Sequence, residues 1–388
     1  MKLAHLTWLV SEAGGGIPPV ARALVRAQAS MGHLAELHGL VETAHRSGPH
    51  DARVKASAIA GPVALGFSPS LGPKLRRFSP DVTHLHGLFT WPSQVARRWG
   101  ARTRRPVVIA PHGMLEPWAL RRSAWKKKLF WWAIEDENLH RAGCLHALNV
   151  QEADNFRRLG LRNPIAVIPN GVELPSVLPD PLEFGRRWPA LAYRKVLLFL
   201  GRIHPKKGLP VLLDALSLLA TDRFRQDGWI LTVAGPDQLG HTAEVREKAR
   251  RLGLEHDVVF TGPLHGSEKA SAFAGASAFV LPSHSEGFSV AVLEAMSYGL
   301  PVVITRQCNF DVAALAAGWV CEPERDSVAR ALRGLLECSD AERRRIGQRG
   351  RDAVAAGYTW DCAATRLVKT YEWLLGGGPK PSDVEFFP

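Results

Sequence analysis

Short apolar runs alternate with helical patterns along almost the whole chain, and this rhythm limits the fold more than any other feature. The runs begin at Leu3, Leu34, Val82, Val107, Leu145 and Ile165, then after a break at Val196, Trp229, Val258, Ala278 and Val302. Strands spaced by helices give parallel sheets covered on both faces. The break, residues 169–181, is rich in Pro, Asn and Gly and reads as a linker. A chain of 388 residues, against about 100–200 per domain, has room for two such sets with two cores. The expected fold class is therefore α/β, with two Rossmann-like domains over residues 1–175 and 190–359. Ligands of open parallel sheets sit beyond the carboxyl ends of strands. Residues that carry chemistry should then follow strands in both halves.

Several classes drop out. No apolar run approaches the roughly 20 residues of a membrane-spanning helix. The N-terminus enters a strand directly, without a signal-peptide layout. Cys144, Cys308, Cys321, Cys338 and Cys362 are scattered, and none has metal-ligand or redox spacing. They read as reduced thiols of a cytosolic protein. With no Asp-x-Asp motif and no ligand cluster, neither a metal nor a cofactor is expected. The formal net charge of +12 admits nucleic acid, a membrane surface or an anionic substrate.

The most pointed stretch is residues 283–301. A strand-like run, Ala278–Leu281, leads in, and residues 289–298 read as a helix. Glu286 sits at the mouth of the strand-to-helix turn, and Glu294 lies about two turns into the helix. At ~1.5 Å per residue they are on the order of 12 Å apart. Glycosidase carboxyl pairs stand roughly 5–10 Å apart, so this spacing suits a longer ligand gripped at two points.

Other strand ends carry matching chemistry. Residues 196–200 run into Gly201-Arg202-Ile203-His204-Pro205-Lys206-Lys207-Gly208. Arg202 can fork onto two phosphate oxygens, and Lys207 supplies a point charge. Fixed cations of this kind stabilise a departing diphosphate without proton transfer; the bland alternative is two exposed cations in a turn. After the first strand, Gly15 and Gly16 precede a helix, either for close backbone approach to a phosphate or as a plain turn. Neither a G-x-G-x-x-G fingerprint nor a P-loop is present. His112 follows Val107–Ala110, and His86 ends another strand-like run.

Glu-Gly-Phe-Ser-x-x-x-Leu-Glu-Ala-Met-x-x-Gly-x-Pro-Val, with Gly-Arg-x-x-x-x-Lys-Gly upstream, resembles the signature of retaining glycosyltransferases of family 4, which have the GT-B fold. The resemblance covers nearly the whole chain and is strongest over residues 195–303. It implies two Rossmann-like domains facing across a cleft, with a last helix at about 360–376 that completes the first domain. Residues 377–388, Gly- and Pro-rich at their start, are expected to be a flexible tail. The implied chemistry is metal-independent transfer of a hexosyl unit from a UDP- or GDP-sugar to an acceptor hydroxyl, with retention, by front-face departure and attack. The nucleotide-sugar is then substrate, not cofactor.

By the same resemblance His112 lies beside the donor sugar and assists at the reacting centre. Arg202 and Lys207 hold the diphosphate, Glu286 lies near the sugar hydroxyls, and Glu294 accepts from the ribose hydroxyls. Gly15 and Gly16 face the diphosphate, as do the N–H groups of Gly287, Phe288 and Ser289. The loop with Gly262 and Leu264 lines the base pocket.

Residues 116–132 mix cations with tryptophans: Trp118, Arg121, Arg122, Trp125, Lys126, Lys127, Lys128 and Trp132. The tryptophans recur every seven residues, close to one helical stripe. One reading is a core-facing stripe with a wet basic face. Another is an anionic membrane surface, with a lipid-linked, diphosphate-bearing acceptor at the cytosolic side. Nucleic acid is a third, and no nucleic-acid motif accompanies it. With His86 on the acceptor side, this half resembles bacterial enzymes of exopolysaccharide or lipopolysaccharide assembly. A cytoplasmic protein, peripheral at the inner face of the membrane, would fit. The alternatives are a small soluble acceptor, such as a sugar phosphate or cyclitol, and a non-catalytic nucleotide-sugar or nucleic-acid binding protein.

Overall fold

The apolar runs lack polar alternation because the strands they form are buried on both faces. In the computed structural model, which describes residues 1–42, 51–63, 66–121, 128–219 and 223–386, the strands are β1 (Lys2–Leu9), β2 (Leu34–Val41), β3 (Val54–Ala58), β4 (Val82–His86), β5 (Val107–Ala110), β6 (Cys144–Ala147), β7 (Ile165–Val167), β8 (Lys195–Leu200), β9 (Trp229–Ala234), β10 (Val258–Gly262), β11 (Ala278–Leu281), β12 (Val302–Thr305), β13 (Gly318–Cys321) and β14 (Val384–Glu385). β4, β5, β6, β9, β11 and β12 are buried at every residue. The chain divides into two compact units: Met1–Gly171 with Trp360–Pro388, and Val172–Thr359.

The first unit holds a sheet of order β14-β7-β6-β5-β4-β1-β2-β3, and the second a sheet of order β10-β9-β8-β11-β12-β13. Every pairing among them is parallel except β14 on β7. On one face of the first sheet, Leu6, Leu85, Ile109 and Leu145 pack with Trp99 and Phe156. On the other, Leu3, Val82, Val108 and Cys144 pack with Leu24, Leu367 and Tyr371, residues of helices Ile17–Ser30 and Trp360–Leu374. Side chains alternate faces along a strand, so His5, His84 and His86 share that second face, with His5 directly beside His84 in register.

Three strands have no counterpart among the expected ones: β3, β13 and β14. β3 and β13 are short edge strands of mixed burial, so their apolar signal is weak. β14 corrects the expectation of a flexible tail. Val384 is 1% exposed, and Asp383 pairs with Arg366 at 2.7 Å. The Gly- and Pro-rich start of the tail conceals a segment that pairs with β7, which would otherwise be an open sheet edge.

The tryptophan stripe is described only in part. Residues 122–127, with Arg122, Trp125, Lys126 and Lys127, lie outside the described residues. Beyond them, Trp131–Glu135 forms a π-helical turn. There Trp131 packs on the core while Trp132 is 82% exposed, against a core-facing stripe and in keeping with the surface reading.

In the second unit, helix Asp340–Gly357 lies against helix Val290–Ser297, which carries Glu294. The approach depends on Gly347: a Cβ there would stand 1.7 Å from the carbonyl oxygen of Gly299. Gly347→Ala is therefore expected to destabilise the fold by about 1–3 kcal/mol, the usual cost of overpacking. A denaturation midpoint unchanged from the parent protein would contradict this packing.

Candidate functional site

β8 and β11 are neighbours in the second sheet, so the loops leaving their carboxyl ends arrive side by side. The β8 loop makes a tight turn, Pro205–Lys207, before helix Leu209–Ser217. The β11 loop carries Ser283 and Glu286 into helix Val290–Ser297. The two backbones nearly touch. Gly208 has φ 73°, and a Cβ there would stand 1.9 Å from the carbonyl oxygen of Pro282. The His284 N–H also donates to the Lys206 carbonyl at 2.7 Å.

This closeness joins Lys207 to Glu286. Nζ donates to Oε1 at 2.5 Å, with side chains only 12% and 8% exposed. The Ser283 hydroxyl donates to the same oxygen at 2.6 Å. The Glu286 backbone is fixed as well: its N–H donates to the Gln307 carbonyl at 3.0 Å, and its carbonyl accepts from Asn309 at 2.6 Å. Arg202, two residues beyond β8, is exposed and donates to Gln238 at 3.1 Å. Gly235, after β9, has φ 148°, and a Cβ there would lie 1.9 Å from the Gly201 carbonyl oxygen.

Glu294 lies farther along its helix and pairs with Lys269 at 2.6 Å. Lys269 belongs to helix Gly266–Gly275 and escaped the sequence reading. Each glutamate thus has its own lysine from a different element, an arrangement unlike two carboxyls that share a proton. Gly287, Phe288 and Ser289 form the entry to the helix, with Ser289 at its N-cap. Gly262 closes β10 with φ 76°, and Leu264 beyond it is buried.

In the first unit Gly15 and Gly16 are exposed between a 3₁₀ turn, Glu12–Gly14, and helix Ile17–Ser30. His112 follows β5 in the left-handed region, φ 54°, with Gly113 at φ 76°. Phe89, beyond β4, is also left-handed, at φ 61°. Such conformations are unfavourable for residues other than glycine. A buried carboxylate holds each turn. Glu152 accepts from the Gly113 N–H at 2.7 Å and the Leu148 N–H at 2.8 Å. Glu135 accepts from the Phe89 N–H at 2.5 Å. Burial pushes the Glu152 carboxyl up to about 7 and raises that of Glu135. The sequence reading missed both. Glu152 had a signal: it stands three residues after the helix N-cap Asn149, whose side chain accepts from the Glu152 N–H at 2.8 Å.

His112 does not stand alone. Its Nε2 lies 2.9 Å from Nδ1 of His86, and Nε2 of His86 lies 2.8 Å from Nδ1 of His5. Nε2 of His5 meets Oε1 of Gln28 at 2.8 Å. Beside them, Nδ1 of His84 meets the Tyr371 hydroxyl at 2.7 Å, and Nε2 of His84 lies 3.3 Å from Nδ1 of His146. Nε2 of His146 meets the Ile168 carbonyl at 2.7 Å. Burial, first of all, pushes His5 and His146 down to about 4 and His112 to about 3, and holds His84 and His86 well below the ordinary histidine value. The expected acceptor-side role for His86 therefore needs correction. His86 is 2% exposed, with both nitrogens engaged by His5 and His112, so its ring is closed to direct contact with an acceptor.

His5, His84 and His86 are close enough together to hold a metal ion. All six of their ring nitrogens already have hydrogen-bonding partners, and a metal would have to break those bonds. Burial pushes the thiols of Cys144, Cys308 and Cys321 up to about 12, which makes them poor nucleophiles. Of the basic aromatic run, Trp118 and Arg121 sit in helix Pro117–Arg121, while Lys128, Leu129 and Trp132 are exposed. No described helix is long and apolar enough to cross a membrane.

Comparison with known proteins gives concordant results. A family model described as glycosyl transferases group 1 matches residues 186–353, and one described as glycosyl transferase 4-like domain matches residues 15–171. A D-inositol 3-phosphate glycosyltransferase of Actinosynnema mirum is 30% identical over 75% of this chain and 72% of its own. A GDP-mannose:cellobiosyl-diphosphopolyprenol alpha-mannosyltransferase of Komagataeibacter xylinus is 26% identical over 97% of this chain and 94% of its own. The fold matches a sucrose-phosphate synthase from Thermosynechococcus elongatus with a TM-score of 0.79, at 20% identity, over 97% of this chain and 100% of the other.

The buried histidines set a pH dependence. Each has a folded pKa below its ordinary 6.5, so between the two values the unfolded chain binds more protons. Their stabilisation is complete above pH 6.5 and is lost as pH falls through about 4. Glu152 acts in the opposite sense between 4.5 and about 7, and Glu135, raised too, acts with it, two carboxyls against five rings. Unfolding midpoints should fall steeply from pH 7 to pH 4.5. A flat profile over that window would contradict neutral, buried rings.

Proposed function

The chain belongs to the group 1 glycosyl transferases and is a hexosyltransferase, and on that premise we propose that it moves a hexosyl unit from a UDP- or GDP-sugar to a lipid-linked saccharide. The observation that carries the donor side is the buried Lys207–Glu286 pair beside exposed Arg202, at the ends of adjacent strands. An ammonium has three donors and a carboxylate about four acceptor sites. After bonding each other and Ser283, both groups keep capacity for a ligand. Lys207 turns its remaining protons to the diphosphate, where Arg202 forks onto a second pair of oxygens. Glu286 accepts from hydroxyls of the donor sugar. As the glycosidic bond to the diphosphate breaks, negative charge grows on the leaving oxygens, and these fixed cations stabilise it without reorganising.

Glu294 takes the ribose hydroxyls, with Lys269 holding its carboxylate in place. Gly262 and Leu264 border the base, and the N–H groups of Gly287, Phe288 and Ser289 add partial positive charge at the helix entry. In the first unit Gly15 and Gly16 approach the diphosphate, and His112 assists at the reacting centre. A lipid-linked acceptor draws support from the exposed Lys128, Leu129 and Trp132, which suit an anionic lipid surface, and from the diphosphopolyprenol acceptor named for the Komagataeibacter relative. Bacterial surface-polysaccharide assembly is the setting this favours. The inositol phosphate named for the Actinosynnema relative supports a soluble acceptor as the second reading.

Lys207→Ala and Glu286→Ala should each lower kcat/KM by about 10²–10³, the scale of losing one electrostatic contact to a transition state, and activity should persist in EDTA. Turnover at parental level in both variants would refute the site. Flotation with anionic vesicles separates the acceptor readings. The protein should rise with the vesicles, and Leu129→Ser with Trp132→Ser should weaken that binding several-fold. Absence of binding by the parent protein would leave the soluble acceptor.

A further inference from the structure

The hydrogen bonds around His112 have a direction that can be read from one end. Burial keeps all five rings neutral, and a neutral imidazole has one donor nitrogen and one acceptor. The Ile168 carbonyl only accepts, so His146 must donate from Nε2. Its Nδ1 is then an acceptor, and His84 must donate to it from Nε2. Nδ1 of His84 in turn accepts the proton of the Tyr371 hydroxyl. That phenol is held protonated by burial and has Gln28 beside it.

Gln28 passes the direction on. With its proton given to His84, the Tyr371 oxygen can only accept. It therefore favours the amide N–H side of Gln28, although Nε2 makes no bond of good geometry and is otherwise unpartnered. The reversed amide would set its oxygen against that lone pair. Oε1 then faces His5, which must donate from Nε2. Nδ1 of His5 accepts from Nε2 of His86, and Nδ1 of His86 accepts from Nε2 of His112. Every ring in the sequence carries its proton on Nε2. His112 is left with a bare Nδ1 that has no partner among the described residues, on a half-buried ring.

We propose that this chain of side chains, anchored on the Ile168 carbonyl, fixes the tautomer of His112 so that its Nδ1 accepts a hydrogen bond from a sugar hydroxyl. Gln28, Tyr371, His5 and His86 are positioning residues, since none is needed at the ligand itself. The chain orients and polarises, and it does not carry a proton away, because it ends on a carbonyl that takes none. The choice of a hydroxyl as the recognised group rests on the transferase reading above. The tautomer does not.

Long-range 1H–15N spectra of the full-length protein labelled at histidine read the tautomers directly, with His112→Asn as the assignment control. His112 should show protonated Nε2 and unprotonated Nδ1 from pH 6 to 8. Protonated Nδ1, or an imidazolium in that range, overturns the proposal. In Gln28→Met the His112 signals should shift towards a tautomer mixture, with kcat about tenfold lower and donor KM within about twofold. Unchanged His112 signals in Gln28→Met would overturn the coupling. Shifted signals with parental turnover would uphold the tautomer control and remove His112 from the reaction.

Discussion

The contact on which the strand-end loops of the second unit depend is the buried bond between Lys207 and Glu286. Neither charge is tolerable there alone: removing one partner of a buried pair costs about 3–5 kcal/mol because the other is left uncompensated. The surroundings exist to keep the two in reach. Gly208 lets one loop press against the Pro282 carbonyl, Ser283 adds a third hydrogen bond, and Asn309 fixes the glutamate's backbone. A ligand entering such a place meets polar groups already oriented, and little freedom remains to be lost on binding.

The first unit reaches a similar rigidity by other means. The turns after β4 and β5 contain Phe89 and His112 in left-handed conformations, and each is tied by a backbone N–H to a buried glutamate from another element. Those carboxyls are themselves unfavourable where they sit, as their raised pKa values record. Unfavourable backbone and unfavourable burial are thus coupled, and both persist because the surrounding core is extensive. This is the pattern expected where a fold holds a side chain in a set attitude.

How much of this was legible in the sequence depended on whether partners were close along the chain. Arg202, Lys207, Glu286 and Glu294 stand in loops whose glycines and flanking runs mark strand ends, and β8, β11 and the helix Val290–Ser297 fall within a residue or so of the expected limits. The histidine chain could not be read that way. His5, His84, His86 and His146 sit inside apolar runs far apart in sequence, and only the order β6-β5-β4-β1 gathers them. Lys269 has no local mark either, since its partner is 25 residues away. β14 was hidden because its pairing compensates an edge elsewhere, which no local pattern records.

The course of the chain through the first unit bears on synthesis. The polypeptide leaves that unit at Gly171 and re-enters at Trp360, so the second unit is complete before the first can close. Leu367, Tyr371 and Val384 of the first unit's core follow the whole second unit in chain order. Until they are made, part of one face of a seven-stranded sheet and its β7 edge stand open, the exposure that makes nascent chains prone to aggregate. Vectorial synthesis should thus yield a folded second unit first, tethered to a half-covered sheet that only the segment from Trp360 onward seals.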